Sequence, residues 1–189
     1  EPANVTLINY SKTGEEFWVN FSISPVVDEK GWVTHWISAQ RNVTQEKILE
    51  QKKELNAKIS QIFSVNKRLK SSLSSAIKYL VEFGFYDLGE IWLLNSDKTK
   101  INMVARAHGS ELGRKYYQVE SKWHSYEYGE GIPGMVWEKK GPVILTDLSN
   151  VYGKRRKNAL ASGIQAIYSL PIFIDNHFQG MISFATGDR

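Results

Sequence analysis

Residues 168–184 read YSLPIFIDNHFQGMISF. Two runs rich in β-branched and aromatic residues flank a polar Asp-Asn-His, which is the signature of two antiparallel strands joined by a tight hairpin. The spacing predicts strands over 166–173 and 178–186. A long apolar hairpin of this kind needs further strands and a helical layer to bury it.

Working back from the hairpin, further strands are expected at 89–95, 101–107 and 142–147, with NSDKTK (95–100) as a second hairpin turn. Short helices are expected around 133–139 and 154–162. In GEGIPGMVW (129–137), Pro133 suits a first helical turn, where its missing N–H costs nothing. The glycines before it resemble a phosphate loop, but neither the Lys-Ser/Thr of a P-loop nor the spacing of a dinucleotide fingerprint is present. They are read as permitting the turn into the helix.

Upstream, residues 44–83 contain neither Pro nor Gly. Asn42 or Thr44 can cap a helix that begins there, with Gln45 and Glu46 in its first turn. A heptad runs through it. Positions 48, 55, 62, 69 and 76 are Ile, Leu, Ile, Leu and Ala, and positions 52, 59, 66, 73 and 80 are Lys, Ile, Asn, Leu and Leu. The register holds without a skip, which points to a coiled coil over 48–66 whose seam turns into a domain core further on. Ile48, Leu55, Ile59, Ile62 and Asn66 are the candidate seam of a homodimer, with Asn66 favouring a parallel, in-register pair. The competing arrangement is a helix that serves only its own domain.

Before the helix, residues 5–10, 17–26 and 32–41 alternate and carry Val, Ile, Phe, Trp and Thr, separated by the Gly-ended turns KTG and DEKG. Three antiparallel strands are expected. Trp36, Phe17, Phe21 and Ile23 are too many large apolar groups to leave wet, so a cover is expected from a second copy or from the helix. The fold class is therefore α+β: a small antiparallel sheet, a long connecting helix, and a second antiparallel sheet flanked by helices.

The chain of 189 residues has ordinary globular composition, 42% hydrophobic and 23% charged, with a net charge of +4. Much of the positive charge lies in lysine-rich helical segments and in GKRRKN (153–158), which read as solvated faces rather than a nucleic-acid footprint. No apolar run is long enough to span a bilayer. The absence of cysteine fits a reducing, cytoplasmic setting and removes thiol nucleophiles and thiolate metal sites.

Two resemblances organise these elements. Residues 5–47, through NYSKTGEEFWVNFSISPVVDEKGWVTHWISAQRNVT, resemble the C-terminal part of a PAS domain. Residues from about 67 to 186, through GEIWLLNSD, GEGIPGMVW, ILTDL and YSLPIFIDNHFQGMISF, resemble a GAF domain. The resemblance implies PAS sequence over 1–43, a signalling helix over 44–66 and a GAF domain over 67–189 lacking its last helix. The order is that of a piece of a bacterial sensor protein such as a two-component histidine kinase. It implies a regulatory, non-catalytic role in signal transduction.

The PAS-like part is most similar to the flavin-binding LOV type. Asn9 and Gln40 match polar positions of that family's pocket, but Val19 stands where it has a second asparagine. Asn20, one step along, should point to the opposite face. The family's photoreactive cysteine is absent, so no flavin and no other cofactor is expected. In the GAF-like part, the cyclic-nucleotide signature is missing, and the lack of Cys excludes covalent bilin and the sulfoxide-reductase chemistry of that fold. Trp123, His124, Tyr126, Asp147 and Tyr168 could line a small-molecule pocket, as aromatic walls with a few polar groups do; the same residues could equally plug it. None of His35, His108, His124 and His177 precedes an acidic residue, as a phosphoacceptor would, and no pair has helical metal-ligand spacing. No metal and no catalytic constellation is expected.

Overall fold

The computed structural model describes residues 3–66, 68–119, 124–148 and 155–187. Their contacts divide into two units, 1–61 and 62–189.

The first unit holds strands β1 (Ala3–Tyr10), β2 (Glu16–Val27) and β3 (Val33–Asn42), paired antiparallel in the order β1-β2-β3. Its turns satisfy their own backbone. Ser11 Oγ accepts from the amides of Thr13 and Glu15, and Asp28 Oδ1 accepts from those of Lys30 and Trp32. The register pairs Asn9 with Phe17, Leu7 with Val19, Val5 with Phe21, and Phe21 with Gln40. Directly paired residues share a face. One face thus carries Val5, Leu7, Phe17, Val19, Phe21, Ile23 and Trp36, together with Asn9 and Gln40. Val19 is buried, but Val5, Leu7 and Trp36 are open to solvent. Within one copy of the chain this apolar face is not fully covered.

Helix α1 (Thr44–Val65) follows directly, with Asn42 Oδ1 accepting from the Thr44 amide and hydroxyl. None of its residues is buried. The uninterrupted helix expected from the heptad is broken: α1 ends at Val65, Arg68 is extended, and α2 begins at Leu69. Asn66 sits at the break. Its side-chain amide donates to the Ile62 carbonyl at 2.8 Å, so it closes the end of α1. This bond is local to one chain.

The second unit contains α2 (Leu69–Phe83), β4 (Leu88–Leu94), β5 (Ile101–His108), α3 (Glu111–Val119), β6 (Ser125–Tyr126), α4 (Gly131–Lys139), β7 (Val143–Leu145), α5 (Arg156–Ala161), β8 (Ala166–Ile174) and β9 (His177–Thr186). The six strands pair antiparallel in the order β6-β5-β4-β9-β8-β7. The β8–β9 turn places Asp175 and Asn176 both at positive φ, 48° and 63°, the geometry of a two-residue hairpin of the right twist. In the β4–β5 turn, Asn95 Oδ1 accepts from the amides of Thr99 and Lys100.

Helix α2 covers one face. Ile77 and Val81 pack with Ile91, Ala105 and Phe184, and Leu73 and Leu80 lie against that cluster. Here the second half of the heptad enters a core, as its apolar spacing requires. Gly89 lets α2 approach, since a Cβ there would lie 2.6 Å from Val81 Cγ2. The other face is covered by α3, α4 and α5, and it holds two further clusters, one around Trp92, Tyr126 and Met181, the other around Leu88, Tyr116 and Ala185.

A cavity above a buried ion pair

Between those two clusters lies a cavity of about 80 Å³. Its floor is the sheet. Cross-strand pairing sets Trp92 beside Met181, Glu90 beside Ser183 and Leu88 beside Ala185, and all six line the cavity. Tyr116 of α3, Gly131, Ile132 and Pro133 of α4, and Arg155 and Ala159 at α5 form the remaining walls. The start of α4 reaches this position through a tight turn. Gly129 and Gly131 take φ of 75° and 59°, and a Cβ at Gly134 would meet the Glu127 carbonyl oxygen at 2.4 Å.

The polar centre is Glu90. Arg155 grips its carboxylate with both guanidinium arms, Nη1 to Oε2 at 2.9 Å and Nη2 to Oε1 at 2.5 Å. The Trp92 indole N–H donates to Oε2 at 3.1 Å, and the Tyr117 hydroxyl lies 3.2 Å from Oε1 and 3.1 Å from the Gly89 carbonyl. The guanidinium carbon of Arg155 lies 5.1 Å from the Tyr116 ring centre and 5.7 Å from that of Trp92. Planar, bidentate geometry of this sort is what arginine supplies and lysine does not.

Burial by itself would raise the Glu90 pKa. The Arg155 charge and the bonds from Arg155, Trp92 and Tyr117 outweigh it, and hold the carboxyl below its usual range. Arg155 is likewise disfavoured by burial, yet Glu90 holds its proton more firmly than usual. Burial, then the neighbouring carboxylate, push the Tyr117 hydroxyl well above 10.0. Opposite the pair, the Ser183 and Ser169 hydroxyls lie 2.8 Å apart, both buried.

Of the described residues expected to form a pocket, Tyr126 alone lines this cavity. His124 stacks on Tyr126 at 6.3 Å between ring centres but is not a wall. Asp147 is exposed beyond the end of β7. Tyr168 pairs with Phe184 and lies 6.5 Å from the Tyr86 ring, on the α2 side of the sheet. Its neighbours Ile167 and Ser169 face the other way, because strand residues alternate. Trp123 lies outside the described residues. In the first unit, Asn9 and Gln40 share a face with Val19, while Asn20 turns to the other face and donates to Asn4 and Thr6. The sequence analysis missed Glu90 and Arg155. The available signal was an acidic residue inside the apolar run GEIWLL, which demands a buried partner.

A mixed α+β unit with a six-stranded antiparallel sheet, helices on both faces and a cavity against one of them describes a known family. The model of the GAF domain matches residues 67–189. The chain belongs to the GAF domain family. Solved structures share its fold. The A. aeolicus nlh2 GAF domain is 17% identical, with 74% of this chain and 81% of that chain covered and a TM-score of 0.58. The GAF domain of a phosphoenolpyruvate-protein phosphotransferase from Coxiella burnetii is 18% identical, covering 74% and 79%, also at 0.58. The free methionine-R-sulfoxide reductase of Neisseria meningitidis is 15% identical, covering 71% and 72%, at 0.54. Identity this low speaks for fold alone.

Among curated proteins, the chain is similar to blue-light-activated histidine kinases. That of Brucella anthropi is 34% identical over 97 residues, 48% of this chain and 19% of the relative. That of Brucella ovis is 41% identical over 56 residues, 29% of this chain and 12% of the relative. The chain thus spans less than a fifth of the length of these relatives. GAF domains are regulatory sensor domains, and the fold is shared with the sulfoxide reductase above. Among the described residues no helix is long and apolar enough to cross a membrane, and no cluster of His, Asp and Glu could hold a metal ion.

Proposed function

We propose that the chain is a sensor module of a bacterial signal-transduction protein of the histidine-kinase type, with the GAF cavity as its small-molecule site. The observation that carries this reading is the preformed cavity with a buried, bidentate ion pair at its floor, set in a family of sensor domains. Residues 1–43 are the C-terminal part of a PAS domain, 44–66 a signalling helix and 67–189 the GAF domain. The three-stranded register and the similarity to histidine kinases support that division. A ligand that prefers one packing of the GAF walls would shift the population of helix arrangements at α1, and an output domain would respond. The PAS-like part carries no flavin in this reading, since Val19 occupies the position of a flavin-binding asparagine and the chain has no Cys.

Native mass spectrometry and absorbance of the purified chain test both statements. A retained small molecule without visible colour is the expected result. Stoichiometric flavin would overturn the assignment of the first unit, and no retained or titratable ligand would favour a second reading. In that reading the chain is a dimerisation scaffold, a role favoured by α1, none of whose residues is buried within one copy.

A further inference from the structure

We propose that the GAF cavity selects a small neutral polar molecule, of amide or alcohol type, and rejects anions of the same shape, because Glu90 already occupies Arg155. The inference rests on the reading of the cavity as a ligand site.

Three observations lead to it. The volume of about 80 Å³ holds roughly five to eight water-sized positions, so the ligand has only a few heavy atoms. The walls are mainly apolar: Leu88, Trp92, Tyr126, Ile132, Ile164 and Met181. The polar lining residues are the Glu90–Arg155 pair, Arg156, Tyr116, Tyr126 and Ser183, whose hydroxyl meets that of Ser169 behind it. Both oxygens of Glu90 are bonded to Arg155 and to one further donor each. An anion at the other N–H groups of Arg155 would lie beside the Glu90 carboxylate and meet its like charge, and one that takes Glu90's place leaves that carboxylate buried without its counter-ion, the costly way to break such a pair. A neutral ligand leaves the pair intact. Arg156 also lines the cavity, but its Nε–H is committed to the Leu148 carbonyl at 2.8 Å. Ser183 supplies the neutral anchor. Whichever hydroxyl of the Ser169–Ser183 pair donates to the other, the two retain one donor and acceptor capacity between them.

Acetamide and acetate are isosteric and differ in charge, so they are the probes. The Trp92 indole N–H, bonded to Glu90 at the cavity floor, is followed by NMR on the full chain and assigned through Trp92→Phe. At constant ionic strength, acetamide is expected to shift this signal saturably, and acetate only at concentrations at least about tenfold higher. Glu90→Gln keeps a similar shape but releases Arg155, and the order should invert. Ser183→Ala, which leaves the ion pair in place, should weaken acetamide about threefold or more without admitting acetate. Wild-type binding of acetate at equal or lower concentration overturns the proposal. Should that binding disappear in Arg156→Gln, the cavity is an anion site run by Arg156, while the sensor reading stands. An order unchanged in folded Glu90→Gln, or acetamide binding unchanged in Ser183→Ala, also overturns it. If neither probe moves Trp92 at all, the cavity is not a small-molecule site and the sensor reading falls with the inference.

Discussion

Trp36 in the first unit and Trp92 in the second both sit on strands of alternating pattern, yet the first is 58% exposed and the second 1%. Every residue of β3 is exposed, whereas six of the ten positions of β9 are buried along a covered sheet, from Phe178 to Ala185. The difference is one of layers. In the GAF unit α2 closes one face and α3, α4 and α5 close the other, so most residues of the central strands β4 and β9 are buried. The three-stranded sheet has comparable apolar content without two covering layers. Periodicity reports that a residue belongs on a pleated surface; burial depends on what is laid over it.

The largest way to break this contrast is at α1. Leu55, Ile59 and Ile62 are half-buried and Ile48 is exposed in a single copy. If two copies associate along this stripe, each aliphatic side chain contributes roughly 1.5–3 kcal/mol. Leu55→Asp with Ile59→Asp removes four such groups per dimer, a loss on the order of 6–12 kcal/mol. Light scattering should then report a dimer for the wild type and a monomer for the double variant. A wild type already monomeric at micromolar concentration would show that the openness of the first unit is not relieved by self-association along α1.

A direct comparison of the two sheets is smaller in scale. Ile77→Ala hollows the α2–sheet core, where the side chain is fully buried, and should cost about 2–5 kcal/mol. Ile37→Ala, at a site 63% exposed, should cost about 0.5 kcal/mol or less. Thermal melts followed by circular dichroism measure both. Equal losses would mean that the face bearing Ile37 is covered in solution.

How far the fold could be read in advance follows the same division. The β8–β9 hairpin was legible because Asp175-Asn176 is a turn that tolerates two positive φ values. The GAF helix around Pro133 was marked by its proline. The break between α1 and α2 was not, since nothing near Asn66 is a helix breaker; the interruption comes from a side-chain amide taking a backbone carbonyl. Short β6, two residues long, carries no periodic signal at all. Of the tyrosines singled out, Tyr126 lies in the cavity wall and Tyr168 on the other face of the sheet, one residue away in strand parity from Ile167. The ion pair was harder. Glu90 and Arg155 are 65 positions apart, and GKRRKN offers several basic residues of which only the fold singles out one.

The smallest expected effect tests whether that ion pair stabilises the GAF unit in solution. Glu90 has a folded-state pKa below its unfolded value of roughly 4.3, held there against burial by Arg155 and its other donors. A depressed carboxyl contributes stability that is fully present above the unfolded pKa, and that is lost as pH falls through the folded one. A single proton limits the slope to about 1.4 kcal/mol per pH unit. Asp97 and Glu111 are lowered as well, by Thr99 and Arg114, but both are exposed and keep their behaviour in any Glu90 variant. The difference between wild type and Glu90→Gln therefore isolates Glu90. Urea melts should find that difference constant from neutral pH to about 5 and shrinking below about 4. A difference that stays flat down to pH 3 would mean that Glu90 takes up its proton over the same range folded and unfolded, so that its charge adds nothing to stability. That result would leave the buried pair a shaper of the cavity rather than a source of its stability.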